Sequence, residues 1–279
     1  MAFRSNDPVT LTFPSFRGVV RQIVLAAVAV FLGLALLGRI APLAGIRLAH
    51  ALILTPSEWL HHPWQPLTYS FVDVGILSIL FSLLSIWMFG SQLEDEFGSR
   101  WFAEYFFTST IVGGLIACAI ALPFGERSAW ISTGDNAISM WPAVMAIMLA
   151  YARFFPDRPI RLMGLVTFKA RHLAALYLLV YLALALVGGD HFGAVTVLAV
   201  ALAGFLYVRF APRKGLRFLA SETLYGWRNA WYRNKRRRAA KKFQVYMRDQ
   251  GRDVNIDSSG RYVGLDEEKR DPTDKRWMN

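Results

Sequence analysis

Charged residues fall in clusters along this chain, and six uncharged, mostly apolar windows lie between them. They are Gln22–Gly38 (17 residues), Val74–Leu93 (20), Tyr105–Gly125 (21), Asn136–Ala152 (17), Leu173–Gly189 (17) and His191–Val208 (18). About 17–25 apolar residues wound as a helix cross the hydrocarbon core of a bilayer. Backbone polar groups find no water there, so each window must satisfy its own hydrogen bonds as a helix. The pattern predicts an all-α, polytopic membrane protein with six transmembrane helices. It excludes a soluble enzyme and a disulfide-rich secreted domain. It also excludes a β-barrel, whose strands would be short and alternating. The first window is longer than a signal-peptide core of about 7–15 residues, so it reads as an uncleaved helix.

The connecting segments carry the remaining pattern. Residues 40–65 form a long loop whose apolar stretch 48–57 is too short to span. It reads as interfacial, with Trp59 and Trp64 at headgroup level. Arg4, Arg17 and Arg21 precede the first span, and Arg153, Arg158, Arg161, Lys169 and Arg171 separate spans four and five. The opposite side is poor in charge, so both termini are expected to be cytoplasmic. Net charge sharpens the division. Of the +11 total over 279 residues, residues 1–211 contribute +2 (13 basic, 11 acidic) and residues 212–279 contribute +9 (18 basic, 9 acidic). Three parts follow: a cytoplasmic segment 1–18, a membrane domain 19–211 and a short basic cytoplasmic tail 212–279. Within the tail, residues 253–264 read as a small hairpin. Val254 and Ile256 alternate with polar residues, Ser258-Ser259-Gly260 turns, and Tyr262-Val263 returns. Short termini without a targeting segment point to a bacterial inner (plasma) membrane. The single cysteine, Cys118, lies inside the third window and reads as a small buried hydrophobe.

Four places then stand out. Trp64-Gln65-Pro66-Leu67-Thr68-Tyr69-Ser70-Phe71 leads into the second window. Trp87-Met88-Phe89-Gly90, with Leu93-Glu94 and Phe97-Gly98-Ser99-Arg100, closes it. Ala150-Tyr151-Ala152-Arg153-Phe154-Phe155-Pro156-Asp157-Arg158 ends the fourth. Ala203-Gly204-Phe205-Leu206-Tyr207-Val208-Arg209 ends the sixth. In this order they resemble the rhomboid family of intramembrane serine proteases over residues 19–211. The resemblance implies a six-helix bundle with a serine in a Gly-x-Ser-Gly motif at the start of helix four. It further implies a histidine in helix six, and a His and an Asn in helix two that help bind the oxyanion. Counting from the matched segments puts Ser139-Met140-Trp141-Pro142 at that motif and the nucleophile position at Trp141. The dyad histidine position falls at Val197. The helix-two pair falls at Ser78 and Ser82, and the histidine often found before that helix falls at Asp73. Tryptophan has no nucleophilic oxygen and valine accepts no proton. The resemblance therefore implies a pseudoprotease. It would bind transmembrane segments of client proteins at the helix-five gate and beside it, without cleaving them.

Other readings stand beside this one. Ser139 and His191 are the candidates for a displaced dyad in an active intramembrane serine endopeptidase, with Ser132 and Ser78 as further nucleophiles. Two residues from Trp141, Ser139 would point about 200° away on a helix. Ser78 and Ser82, four apart, suit close helix packing. Trp141 also suits an interfacial helix start. Glu104 is spaced to pair with Arg100 one turn earlier. His61 and His62 lack further metal ligands. Asp253, Asn255 and Asp257 open like a calcium loop, but Ser258 and Gly264 occupy positions that need Gly and Glu. No cofactor and no metal are expected.

The tail holds Arg228, Arg233, Lys235, Arg236, Arg237, Arg238, Lys241 and Lys242, flanked by Trp227, Trp231 and Tyr232. Near a membrane such a run binds anionic lipid headgroups, and it would make the protein a scaffold through its tail. RNA is the weaker reading, and plain positive-inside anchoring is the simplest. The expected partners are the lipid bilayer, transmembrane clients and anionic headgroups, with nucleic acid disfavoured.

Overall fold

The computed structural model describes residues 14–128, 130–162, 166–211, 215–251, 255–256 and 262–263. Helix α1 (Gly18–Ile40) is followed directly by α2 (Pro42–Leu52). Proline suits the first helical turn, where its missing N–H breaks no helical bond. Gly45 of α2 packs on the backbone of Gly38 in α1, and a Cβ at Gly45 would clash there. The long loop thus opens with an 11-residue helix folded back on α1. It starts earlier than the expected stretch 48–57.

A short helix α3 (Gln65–Thr68) and a 3-10 turn (Tyr69–Phe71) lead into the second window. That window is α4 (Ile76–Ser85), a π-helical turn (Ile86–Gly90) and α5 (Ser91–Phe97). Gly98, at φ +88, makes the sharp turn into α6 (Ser99–Ala121). Then come α7 (Trp141–Phe154), α8 (Ala170–Val187) and α9 (His191–Phe210).

Among the described residues five helices are long and apolar enough to cross a membrane: Gly18–Ile40, Ile76–Phe97, Ser99–Phe124, Ala170–Val187 and His191–Phe210. The window Asn136–Ala152 departs from the expected six. Its helix α7 has 14 residues, about 21 Å at 1.5 Å per residue. The first part of the window is tied into the loops instead. Ala137 pairs with Leu54, and Thr55 Oγ1 donates to Asn136 Oδ1 at 2.9 Å. Helix α7 is also enclosed, with Pro142 through Met148, Ala150 and Tyr151 buried. A helix wrapped by its neighbours need not match the thickness of the lipid.

Around α7, α6 and α9 pack closely. Gly113 of α6 meets the backbone of Val200, and Gly204 of α9 meets the Tyr105 hydroxyl and Ala146. Small residues allow this approach where lipid supplies no hydrophobic drive. Polar groups in α6 are satisfied locally. Tyr105 Oη donates to the Ala146 carbonyl at 2.5 Å, and Ser109 and Thr110 donate to carbonyls one turn back. Helices α1 and α8 are more peripheral, each adding only a few residues to this core. Only 11% and 22% of their apolar windows are buried, against 61% for α9.

Between α7 and α8 the basic connection folds into an antiparallel hairpin, β1 (Pro159–Leu162) with β2 (Val166–Lys169). The all-α expectation did not include it. Asp157 at its foot pairs with Lys169 (3.4 Å) and Arg171 (3.6 Å).

The chain divides into two compact units, Met1–Leu216 and Arg217–Asn279. The second unit is mostly α10 (Leu216–Asp249), a helix of 34 residues. Beyond it β3 (Asn255–Ile256) pairs antiparallel with β4 (Tyr262–Val263). The expected turn Ser258-Ser259-Gly260, with Asp253, Val254, Asp257 and Gly264, lies outside the described residues, as does Arg4.

Candidate functional site

The loops at one end of the bundle converge on Asp73, just before α4. This carboxylate is 8% exposed. Its Oδ1 accepts from Gly75 N at 3.3 Å, the bond of a tight turn into α4. Its Oδ2 accepts from Ser78 Oγ at 3.0 Å and Ser139 Oγ at 3.3 Å. Both hydroxyls also accept from Trp141. The indole Nε1–H donates to Ser78 at 3.1 Å, and the backbone N–H donates to Ser139 at 3.1 Å. Four residues from two segments, 73–78 and 139–141, thus close one network.

Local sequence explains the placement of Trp141. Pro142 sits in the first turn of α7 and sets where the helix begins. Trp141 is then the first helical residue, and its ring stacks on Tyr177 of α8 (6.4 Å, 21°). Ser139, two residues earlier, is extended with φ +140. That backbone favours glycine, so the turn into α7 is strained. The angle expected from an unbroken helix through Ser139 does not apply.

A cavity of about 190 Å³ opens beside this network. Ser139 and Trp141 line it from one side, Tyr181 and Leu184 of α8 from another, and Asp190 and Val197 from α9. Trp141 and Val197 therefore share one cavity. Neither side chain transfers a proton there. Asp190 caps α9, accepting from Gly193 N at 2.8 Å. Ser82 is buried one turn after Ser78, and its hydroxyl has no hydrogen-bond partner among the described residues.

Ser139 and His191 are engaged separately. His191 Nδ1 lies 3.0 Å from the Ala185 carbonyl, and its ring lies beside Trp130. Ser132 holds a turn, donating to the Glu126 carbonyl at 2.9 Å and accepting from Gly134 N. His62 stacks on Trp64, whose indole donates to the Ala51 carbonyl at 2.8 Å. Among the described residues no group of three His, Cys, Asp or Glu could hold a metal ion. Arg100 Nε stands 3.6 Å from Glu104 Oε1. Tyr69, fully buried behind Asp73, has its phenol pKa raised by burial first and by nearby Cys118 second. It stays neutral and donates to the Thr110 carbonyl at 3.4 Å.

Sequence reasoning missed two roles. Asp73 appears in the sequence as a replaced histidine at the lip of an apolar window, whereas here it is the hub of the network. Glu94 appears as one charge in a mixed loop, yet it caps α1. Its two carboxylate oxygens accept from Val19 N (2.7 Å) and Val20 N (2.9 Å). An anion at a helix N-terminus satisfies open N–H groups and the helix dipole together. Gly18, at φ +69, leaves the space this carboxylate fills.

In the second unit, the eight basic residues of α10 from Arg228 to Lys242 are exposed. Arg228 lies over Tyr225 (4.8 Å) and Lys235 over Trp231 (5.4 Å).

The long apolar helices and the enclosed polar centre define a polytopic helical membrane protein. A family model described as Eukaryotic integral membrane protein (DUF1751) matches residues 22–232, and the chain belongs to that family. No curated protein matches it. The family is eukaryotic, which corrects the expectation of a bacterial inner (plasma) membrane. Short termini and the lack of a targeting segment were its only grounds. Hydropathy drives insertion by the same physics in any cell, so these features do not tell a bacterium from a eukaryote.

Proposed function

We propose that this protein is a rhomboid-like membrane protein without a Ser–His dyad, which binds transmembrane segments of client proteins and does not cleave them. In this reading α1, α4–α5, α6, α7, α8 and α9 are the six helices of a membrane domain over residues 19–211. Ser139 supports the register, since its glycine-like φ falls at the first glycine of the family's Gly-x-Ser-Gly motif. One observation carries the reading. The Trp141 indole stands at the nucleophile position and is bonded to Ser78, at the helix-two histidine position. The space for a substrate carbonyl holds a ring, and Val197 across the cavity supplies no base. A carboxylate such as Asp73 is a far weaker base than imidazole. Peripheral α8 would serve as the movable gate, with the Trp141–Tyr177 stack as its inner latch.

The competing enzyme reading, a displaced Ser139–His191 dyad, is tested by labelling. The purified protein is treated in detergent with a fluorescent fluorophosphonate beside an active rhomboid protease. Ser139→Ala, Ser132→Ala and Ser78→Ala variants run in parallel. The expected result is label on the control alone. Label on this protein that disappears in one serine variant would overturn the proposal and identify the nucleophile.

The exposed aromatic and basic side chains of α10 favour a second activity of the same chain. Tyr225, Trp227, Trp231 and Tyr232 beside Arg228 to Lys242 suit binding to anionic lipid headgroups, with aromatic rings at the interface.

A further inference from the structure

The seam between α1 and α4 is open along most of its length. Near the loop end lies a cavity of about 520 Å³, lined by Phe31, Ala35 and Gly38 of α1, by Gly45 of α2, and by Asp73 and Ile76. Toward the other end lies one of about 530 Å³, lined by Phe16, Val24, Leu80, Leu84 and Trp87. On α1 the lining positions are 24, 31, 34, 35 and 38, which share one helix face. On α4 and its π turn they are 76, 80, 83, 84 and 87, which again share one face. Two apolar stripes at heptad-like spacing, facing one gap, are the surfaces that a third helix packs between. Gly38, with open space around it, and Ala35 would let its backbone come close. Ile76 (73% exposed) and Leu80 (57%) are left uncovered by the described residues.

Among the described residues Asp73 is the only charged one lining either cavity. Among the described residues it has no ion-pair partner. Gly75 N–H, Ser78 and Ser139 satisfy its lone pairs with neutral donors, but they do not balance its charge. A buried carboxylate at the lip of an apolar window is ordinarily matched by a basic partner.

We infer that this seam docks one transmembrane helix of a client, and that Asp73 selects helices carrying a lysine or arginine about one turn inside the loop-end boundary. The inference rests on the client-binding reading and names the chemistry of the client. A basic residue within a lone helix is costly in lipid, and Asp73 offsets that cost only inside the groove. A basic helix therefore gains more from docking than an apolar one.

The test uses the full chain in phosphatidylcholine nanodiscs and fluorescent Leu/Ala peptides of about 21 residues, long enough to span. One peptide carries a single Lys at the stated depth, and a second carries Leu there. The Lys peptide should bind about tenfold more tightly, a difference of one decade in Kd. Asp73→Asn keeps the side-chain shape and an oxygen acceptor, and should bring the Lys peptide to the level of the Leu peptide. Ala35→Trp fills the seam and should weaken both. Equal binding of the two peptides, or a Lys preference that survives Asp73→Asn, would overturn the inference. So would binding indifferent to Ala35→Trp, which leaves client binding standing at another place. An Asp73→Asn change that alters co-purified phosphatidylethanolamine, and not peptide binding, gives the groove to lipid and also overturns it. Failure of every peptide to bind removes the client reading and this inference together.

Discussion

The Trp141 side chain joins three helices through one ring. Its N–H bonds Ser78 on α4, its face stacks on Tyr177 of α8, and its backbone begins α7. Trp141→Phe keeps the stack and removes the bond, leaving Ser78 Oγ one donor short. A typical hydrogen bond is worth about 0.5–1.5 kcal/mol, and thermal unfolding in detergent should show a loss of that size. Trp141→Ser empties the site, yet fluorophosphonate should still leave no label, because position 197 holds no base. Label on that variant would place a base that the described residues do not show. Glu94 makes the second strong residue-level contact. Glu94→Gln retains one acceptor oxygen but loses the charge facing the α1 N-terminus. Buried charge-assisted bonds of this kind are worth about 1.5–3 kcal/mol. The expected loss lies toward the lower end, and Glu94→Ala should cost more. A melting temperature unchanged by either substitution would contradict the capping role.

At the scale of elements, the tight contact between α6 and α9 sets the core. Gly113 has no room for a methyl group against the Val200 backbone. Gly113→Ala must part the two helices, and overpacking costs about 1–3 kcal/mol. The same substitution at Gly33, which has open space around it, should leave the melting temperature nearly unchanged and serves as the control. The π turn at Ile86–Gly90 is a related accommodation. Gly90 fits against Phe102 of α6 and Val20 of α1, so the second span re-aims just before the Glu94 cap. Helix α7 shows how packing alters a hydropathy reading. Its window is uncharged over 17 residues, but Asn136 to Met140 is recruited by the loops. Leu54, Thr55 and Asp73, which hold that segment, are 66 to 83 positions away in sequence.

At the scale of the whole molecule, charge and apolar surface lie on different units. The bundle exposes leucine-rich faces on α1, α4 and α8, whereas the second unit carries most of the net charge. Replacing Arg236, Arg237 and Arg238 together by Gln in the full chain removes three exposed charges. With about 1 kcal/mol per basic residue near an anionic surface, recruitment of added anionic vesicles should fall by about tenfold or more. Raised salt should erase the difference, because exposed charges are screened within about 8–10 Å at ordinary ionic strength. Recruitment that is insensitive to both would remove the lipid-binding role of α10.

The sequence by itself determined that this is a helical integral membrane protein and where its long apolar helices run. Hydropathy is a sum over a helix's own side chains, so transfer into lipid is legible one window at a time. It also established that positions 141 and 197 hold a tryptophan and a valine, neither of which can act as a nucleophile or a base. Only the tertiary structure decided that Asp73, Ser78, Ser139 and Trp141 form one network, that Glu94 caps α1 and that α7 is a short enclosed helix. These depend on contacts between segments as far as 83 residues apart. Their hydrogen bonds are directional and short, and no local pattern of hydrophobic and polar positions encodes which distant donor a buried carboxylate will meet.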